Sequence, residues 1–354
     1  MTVTNKSHNY IGYVPSLDGL RAVAIILVLF LHANFRLGTN GGLGVAVFFA
    51  LSGFLITTLL LEEFHKTSTI SFKGFYVRRT MRLFPPLYVL LAIVFIYAIF
   101  FRTGIDQNNI FKDIIASGLY FYNIARALGW CTKEILLYHT WSLSVEEQFY
   151  LIWPFIVFLC IKIKALKKLQ FFLTLFILLV WILKPLGYIP FVAGSIIKES
   201  IFIGCLGALW RWNNVIPKNI PQILIVFLLV LILLMGIVPF ALPYYDSLFN
   251  ICSIFSVIII LHLVNHTEGI TSKFLSNNTM VFIGKISYSL YLWHLPVFRL
   301  FYYHSTLPPL VSFALKFVVS FILAILSWYT VEKATTAFGR KFSNKIVAKA
   351  QQPQ

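Results

Sequence analysis

Long apolar runs, each close to the length of a bilayer-spanning helix, follow one another along the whole sequence and are separated by short polar segments. A transmembrane helix needs about 20 predominantly apolar residues. Charged residues make up only 12% of the chain, roughly half of the fraction that is usual in soluble domains. Since a helix pairs its backbone groups internally, the sequence predicts an all-α polytopic membrane protein.

The apolar runs predict about ten transmembrane helices. Their expected bounds are 17–37, 43–61, 83–101, 144–161, 171–186, 200–212, 220–240, 249–264, 280–302 and 310–329. Pro85 and Pro86 are expected in the first turn of the third span, where proline is tolerated. Residues 10–335 are predicted to form one transmembrane domain. The basic cytoplasmic tail over 336–354 is expected to be disordered or to lie on the anionic inner leaflet.

The stretch 110–128, between the third and fourth spans, is expected to be a re-entrant or outer-face segment rather than a full span. Only one crossing fits between the outer end of the third span and the lysine-rich loop after residue 161, because basic loops stay on the cytoplasmic side. Non-helical backbone at membrane depth must be covered by protein or line a water-filled cavity. A covered pocket is therefore expected beside this segment.

The net charge of +17 is spread over short loops, and most of the lysines and arginines fall on one side of the predicted topology. This is the positive-inside pattern. It predicts a multi-pass protein of a bacterial inner membrane with both termini in the cytoplasm. It also explains the positive charge, so no nucleic-acid partner is expected. The four cysteines are scattered without the spacing of metal ligands, so no metal is expected.

Arg21 and His32 are ionisable residues inside the first apolar span. A helix turns by about 100° per residue, so an eleven-residue step returns to within roughly 20° of the same face, about 16 Å further along. Ionisable residues at membrane depth are costly and usually functional. The alternative is that Arg21 extends to the headgroups while His32 bonds a neighbouring helix.

Glu146 and Glu147 are expected at the outer mouth of the fourth span, at the height of His32. A carboxylate that bonds one imidazole nitrogen fixes the tautomer of a catalytic histidine, so these three residues are the candidate catalytic group. Alternatively, the two glutamates are first-turn residues that complement the helix dipole, with Ser142 or Ser144 as the helix cap.

Arg79 and Arg82 are three residues apart and therefore share one helical face, directed toward the predicted cytoplasmic mouth. Arginine binds phosphate bidentately, so an anionic cytosolic substrate is one interpretation of the pair. The other interpretation is that these charges serve only to orient the protein in the membrane.

Trp141, Tyr291 and His294 are candidates for contact with a sugar, because aromatic side chains provide flat apolar surfaces for it. His294 is expected at a depth similar to that of His32. The competing interpretation is an interfacial belt of aromatic residues with a histidine that is satisfied by its neighbours.

Taken in order along the chain, these motifs resemble the membrane acyltransferase-3 family of bacterial surface-glycan O-acyltransferases. The resemblance covers about 13–332. It rests on Arg21 and His32 separated by ten residues, GVAVFFALSGFLI over 44–56, Arg79 with Arg82, WSLSVEEQFYLIWP over 141–154, and GKISYSLYLWHLP over 284–296. The family implies that Arg21, Arg79 and Arg82 serve acyl-CoA, whereas His32 and Glu146 serve acyl transfer. It further implies a stand-alone form, without the periplasmic domain that many relatives carry.

The expected function is therefore O-acyl transfer, with acetyl-CoA as donor substrate and no permanently bound cofactor. The expected acceptor is a sugar hydroxyl of a surface polysaccharide, lipopolysaccharide O-antigen or lipid-linked glycan. Transfer is expected to be direct or to pass through Ser52, whose main expected role is helix packing. The main alternative is an exporter or flippase that uses Arg21 and His32 as a coupling path, although no internal repeat is visible. A non-catalytic assembly partner is a third.

Overall fold

A computed structural model describes residues 10–33, 42–131, 136–215, 219–237 and 245–350. Within those ranges the chain is helical and has no strands. The helices are α1 (Pro15–His32), α2 (Leu43–Thr67), α3 (Phe72–Phe101), α4 (Gly104–Gly118), α5 (Tyr122–Ala127), α6 (Thr140–Lys162), α7 (Leu166–Leu183), α8 (Phe191–Ile196), α9 (Glu199–Trp212), α10 (Gln222–Ile237), α11 (Tyr245–Asn265), α12 (Ile270–Leu275), α13 (Asn278–Lys285), α14 (Ser287–His304), α15 (Pro309–Ser327) and α16 (Lys333–Ala350).

Seven of the described helical segments are long and apolar enough to cross a membrane: α1, α2, α3, α6, α7, α11 and the continuous run from α15 into α16. The expected all-α multi-pass fold is thereby confirmed. The runs at 200–212 and 220–240 become α9 and α10, which have 14 and 16 residues and are shorter than a full bilayer crossing. The count of ten spans therefore stays a prediction.

α3 begins much earlier than predicted, because the Ser71 side chain caps its first turn by accepting a hydrogen bond from the Gly74 backbone N–H. Pro85 and Pro86 consequently lie inside the helix, and their expected place in its first turn is wrong. Prolines are tolerated in membrane helices when neighbouring groups satisfy the backbone around them. The prolines leave the carbonyls of Met81 and Arg82 without a helical donor, and the Tyr288 hydroxyl donates to the next carbonyl along the helix, that of Leu83.

The segment between the third and fourth predicted spans forms α4 and α5, which are joined by a turn with Tyr120 at a φ of 53°. Neither helix is among the seven long apolar segments. Buried hydrogen bonds hold the segment together and tie it to α6. The Tyr122 backbone N–H of α5 donates to Ser144 Oγ of α6 at 3.1 Å, and the Tyr122 hydroxyl donates to Asp113 of α4 at 3.2 Å. Burial raises the pKa of the Asp113 carboxyl to about 7.

The ninth predicted span is divided, because α13 and α14 separate at Ile286. Two glycines allow the beginning of α1 to lie against this region at backbone contact distance. A Cβ atom on Gly284 would collide with the backbone of Asp18, and one on Gly19 would collide with the backbone of Leu275. This close contact fixes the position of the first turns of α1.

Residues 336–350 are helical, and the expectation that the basic tail lies on the inner leaflet stays a prediction. The helix continues from α15 through a π-helical turn, Trp328–Glu332, into α16. α16 packs along the first half of α3: Arg78 donates to Ser343 Oγ, and Gly339 lies against the Met81 side chain.

α2 and α9 pack against each other through small residues. A Cβ atom on Gly53 would collide with the Ile201 carbonyl of α9, and one on Gly204 would collide with the Ala50 carbonyl of α2. Small residues let membrane helices approach closely. Ser52, the residue before Gly53, lies about 100° around α2 from this contact and faces α6, where its hydroxyl donates to Glu146.

Gly204→Val is expected to destabilise the protein, because the added side chain meets the Ala50 backbone and forces α2 and α9 apart. Overpacking of this kind costs about 1–3 kcal/mol. Thermal unfolding in detergent measures the effect as a lower Tm. Gly194→Val is the matched control, since a Cβ atom there has no neighbour within 4 Å. Equal Tm values for the two variants would contradict the packing described here.

Candidate functional site

The described helices form a cavity between α1, α2, α3, α6 and α14 whose lining includes four charged, partly buried side chains. Its volume is about 90 Å³. Its polar lining residues are Arg21, Ser52, Arg79, Arg82, Ser142, Glu146, Tyr150, Ser287, Tyr288 and Tyr291. We call it the arginine cavity. It brings together the three arginines that the sequence analysis selected as candidate acyl-CoA ligands.

Arg21 is held in place from the first turn of α1. Its guanidinium donates to Asp18 Oδ1 at 2.5 Å, and the Tyr13 hydroxyl donates to the other Asp18 oxygen at 2.8 Å. Burial, followed by the contact with Asp18, raises the pKa of the Tyr13 hydroxyl to about 12. The charges of Arg79 and Arg82 both act on Arg21. Three converging guanidinium groups form a site suited to an anion.

Glu146 lies in the arginine cavity, where the Ser52 hydroxyl donates to its Oε1 at 2.6 Å. The charges of all three arginines act on this carboxylate. Arg79 also lies over the Tyr150 ring, 4.5 Å from its centroid. Glu146 therefore supplies negative charge among the guanidinium groups and helps to orient them.

The expected pairing of Glu146 or Glu147 with His32 is wrong. α6 begins at Thr140, so Glu146 is six residues, or about 9 Å, inside the helix rather than in its first turn. Glu147 lines neither this cavity nor the one that contains His32. Its Oε1 is buried without a hydrogen-bond partner among the residues that the structure describes, and the charge of Arg79 acts on it.

His32 lines a second cavity, which we call the histidine cavity. Its lining also includes His139, Trp141, Tyr138 and Tyr291. His32 Nδ1 lies 3.1 Å from His294 Nε2 and 3.2 Å from the Val28 carbonyl. The neighbour that orients His32 is therefore a histidine of α14 and not a carboxylate of α6.

These contacts define the tautomer of His32. His294 Nδ1 lies 2.7 Å from the Tyr291 carbonyl, so in the neutral ring this nitrogen carries the proton and Nε2 accepts. His32 Nδ1 must then be the donor to His294 Nε2 and to the Val28 carbonyl. The lone pair of His32 is left on Nε2, which is the arrangement of a proton acceptor.

The two cavities adjoin at Val45 and Tyr291, which line both. The Tyr291 hydroxyl donates to the His139 carbonyl at 2.9 Å and lies 2.6 Å from Ser142 Oγ. Arg21 and His32 therefore line two neighbouring cavities, whereas the sequence suggested one continuous polar path along α1.

The three predicted sugar contacts have different places. Trp141 lines the histidine cavity and Tyr291 lines both cavities. His294 is fully buried and lines neither cavity, so the structure gives it a contact with His32 in place of the predicted contact with substrate.

Sequence reasoning missed several residues of the histidine cavity. They are Asn123, Arg126, His139, Lys184, Lys198, Glu199 and Asp246. Most lie at or beyond helix ends, where a charge is usual and gives no signal by itself. His139 was visible as a histidine just before the fourth span, but its partner, the Leu292 carbonyl at 3.2 Å, is 153 residues away.

The fold and the two cavities define a multi-pass membrane protein with charged groups enclosed among its helices. The sequence matches the family described as "Acyltransferase domain" over residues 14–329. The chain therefore belongs to the membrane acyltransferase-3 family. No solved structure matches it.

Relatives with printed names are similar over most of this chain. Peptidoglycan O-acetyltransferase OatA of Listeria monocytogenes is 34% identical over 348 residues, which cover 90% of this chain and 55% of the relative. O-acetyltransferase OatA of Staphylococcus aureus is 32% identical over 351 residues, covering 90% and 57%. A putative O-acetyltransferase of Staphylococcus aureus strain COL is 34% identical over 359 residues, covering 94% and 59%. The chain thus spans little more than half the length of these relatives.

His294→Phe is expected to change the protonation pattern of His32, because it removes the acceptor for His32 Nδ1. Side-chain nitrogen NMR shifts of isotopically labelled histidine should show one neutral His32 tautomer, protonated at Nδ1, in the original protein and a mixture in the variant. His304→Gln, at the far end of α14, is the control and should leave the His32 signals in place. A single unchanged tautomer in His294→Phe would contradict the assignment.

Proposed function

We propose that this chain is a transmembrane O-acetyltransferase domain of a bacterial cytoplasmic membrane, with both termini in the cytoplasm. It transfers an acetyl group from cytosolic acetyl-CoA to a hydroxyl of a surface glycan. The observation that carries the proposal is the adjoining pair of cavities, one with three guanidinium groups and one with an oriented histidine. Family membership supports the reaction class.

The arginine cavity is the proposed donor site. Coenzyme A carries several phosphate charges, and guanidinium groups bind phosphate through paired, charge-assisted hydrogen bonds. Arg21, Arg79 and Arg82 outnumber the carboxylates of Asp18 and Glu146 beside them, so a bound phosphate group reduces the repulsion that remains among the guanidinium groups. The basic first half of α3 favours the cytoplasmic side for this cavity under the positive-inside rule.

The histidine cavity is the proposed acceptor site, with His32 as the general base. His32 Nε2 takes the proton from the acceptor hydroxyl while that oxygen attacks the acetyl carbonyl carbon. The new C–O bond forms, the C–S bond to coenzyme A breaks, and the proton passes to the departing thiolate. His294 holds the His32 ring in the tautomer that this step needs.

The relatives favour a peptidoglycan-like acceptor over lipopolysaccharide O-antigen, because one of them is named a peptidoglycan O-acetyltransferase. An exporter that uses Arg21 and His32 as a coupling path has less support. The two cavities meet at Tyr291, whose hydroxyl is held by Ser142 and the His139 carbonyl, and a transported solute would have to displace that side chain.

His32→Ala is expected to lower transfer at least about 100-fold, since general-base catalysis contributes roughly that factor or more. The assay uses purified protein in nanodiscs with labelled acetyl-CoA and a glycan acceptor, and it measures released coenzyme A together with acetylated glycan. His304→Ala is the control, because it removes a histidine that lines neither cavity. Full acetylation by His32→Ala would remove the catalytic assignment, and solute movement without coenzyme A release would favour the exporter.

Arg79→Ala and Arg82→Ala are each expected to weaken coenzyme A binding about tenfold or more, because each removes charge-assisted hydrogen bonds to phosphate. Calorimetry on protein in nanodiscs measures the Kd. Lys73→Ala is the matched control, because this exposed lysine lies on the same helix and does not line the arginine cavity. An unchanged affinity in both arginine variants would contradict the donor site.

A further inference from the structure

The histidine cavity contains a cluster of charged side chains in addition to its histidines: Arg126, Lys184, Lys198, Glu199 and Asp246. Both carboxylates of the cluster contact one ammonium group. Lys184 Nζ lies 3.7 Å from Glu199 Oε1 and 3.2 Å from Asp246 Oδ2. Lys184 is therefore the cation of this cluster that has carboxylates within 4 Å.

Arg126 and Lys198 are left without a carboxylate partner among the residues that the structure describes. Lys198 Nζ lies 5.5 Å from the centroid of the Trp141 ring, and the Arg126 guanidinium lies 4.6 Å from the centroid of the Tyr138 ring. Arg126 Nε is buried and has no hydrogen-bond partner within the described ranges. Each of these two cations thus lies against an aromatic ring, and the charges of Glu199 and Asp246 act on Lys198 only from beyond ion-pair distance.

A cation that is withdrawn from water without a counter-charge is costly, and more so within a membrane protein. A cation–π contact offsets about 0.5–2 kcal/mol of that cost. It supplies no hydrogen-bond acceptor, so the donors of Arg126 and Lys198 remain available for a ligand. An anionic group in the cavity would provide both the missing charge and the missing acceptors.

We infer that the histidine cavity binds an acceptor that carries a negative charge, a carboxylate or phosphate on a sugar, with Lys198 and Arg126 as its ligands. The flat face of Trp141 is available to the sugar ring next to the bound anion. His32 lines the same cavity, so an anchored anion would limit which sugar hydroxyl reaches Nε2. Calling this ligand the acyl acceptor rests on the proposed function, whereas the anion site rests on the cavity itself.

The test measures binding without acetyl-CoA, so that it does not depend on acyl transfer. The probes are N-acetylmuramic acid, N-acetylglucosamine 1-phosphate and uncharged N-acetylglucosamine, titrated by calorimetry into the full chain in nanodiscs. At least one charged sugar should bind about tenfold more tightly than the uncharged one, the factor that a charge-assisted contact supplies. Preference for the first charged probe points to a carboxylate on the glycan, and preference for the second points to a phosphate, as in a lipid-linked precursor.

Lys198→Gln and Arg126→Gln should each reduce the preference for the charged sugar, whereas Lys198→Arg should keep it. Lys168→Gln, an exposed lysine on α7, is the control and should behave like the original protein. Thermal unfolding identifies any variant that fails to fold, and the difference between charged and uncharged sugars in the original protein then carries the test. Equal binding of charged and uncharged sugars, or an unchanged preference in folded Lys198→Gln and Arg126→Gln, would overturn the inference.

The outcome is separate from that of the proposed reaction. If charged sugars bind more tightly but His32→Ala leaves coenzyme A release unchanged, the anion site is supported and the proposed catalysis is contradicted. If charged and uncharged sugars bind equally but transfer depends on His32, the reaction is supported and the anion site is contradicted.

Discussion

The position of Arg21 depends on one ion pair at the beginning of the first helix, and the arginine cavity is arranged around it. Asp18 accepts from both Arg21 and Tyr13, and its backbone lies so close to Gly284 that no larger residue fits there. A guanidinium group at membrane depth cannot be left without a partner. Fixing it through a neighbouring carboxylate and a tight helix contact keeps its remaining donors directed at the cavity, where a phosphate group can use them.

The Glu146 carboxylate of α6 belongs to the arginine cavity. Glu146 sits among the guanidinium groups and accepts from Ser52, so it cannot also orient His32. That task falls to His294, a neutral neighbour. A neutral partner has a physical advantage here, since it fixes the tautomer without adding a second buried charge to the region between the cavities. The protein thus keeps Glu146 with the arginines, and His32 contacts a neutral histidine and a backbone carbonyl.

Periodicity was enough to predict what lies on a single helix. The shared face of Arg79 and Arg82 and that of Arg21 and His32 follow from 3.6 residues per turn. The start of α6 could not be obtained that way, because the apolar pattern begins at 144 while the helix begins at Thr140.

The contact between His32 and His294 was equally out of reach, since it joins residues 262 positions apart. The broken ninth span was missed for a related reason, because it depends on glycines that meet another helix. Pattern reasoning finds the candidate residues of this site, but their partners are set by tertiary packing that one sequence does not reveal.

The excess of cationic side chains in both cavities supports the proposal that one binds the donor and the other binds the acceptor. Each has more cationic than anionic side chains in its described lining: Arg21, Arg79 and Arg82 against Glu146 in one, and Arg126, Lys184 and Lys198 against Glu199 and Asp246 in the other. Between them stands Tyr291, an uncharged ring. Phosphates of a donor and an anionic group of an acceptor would each be held on their own side, because moving either charge through the membrane core is expensive. Only the acetyl group, which carries no charge, then has to pass Tyr291.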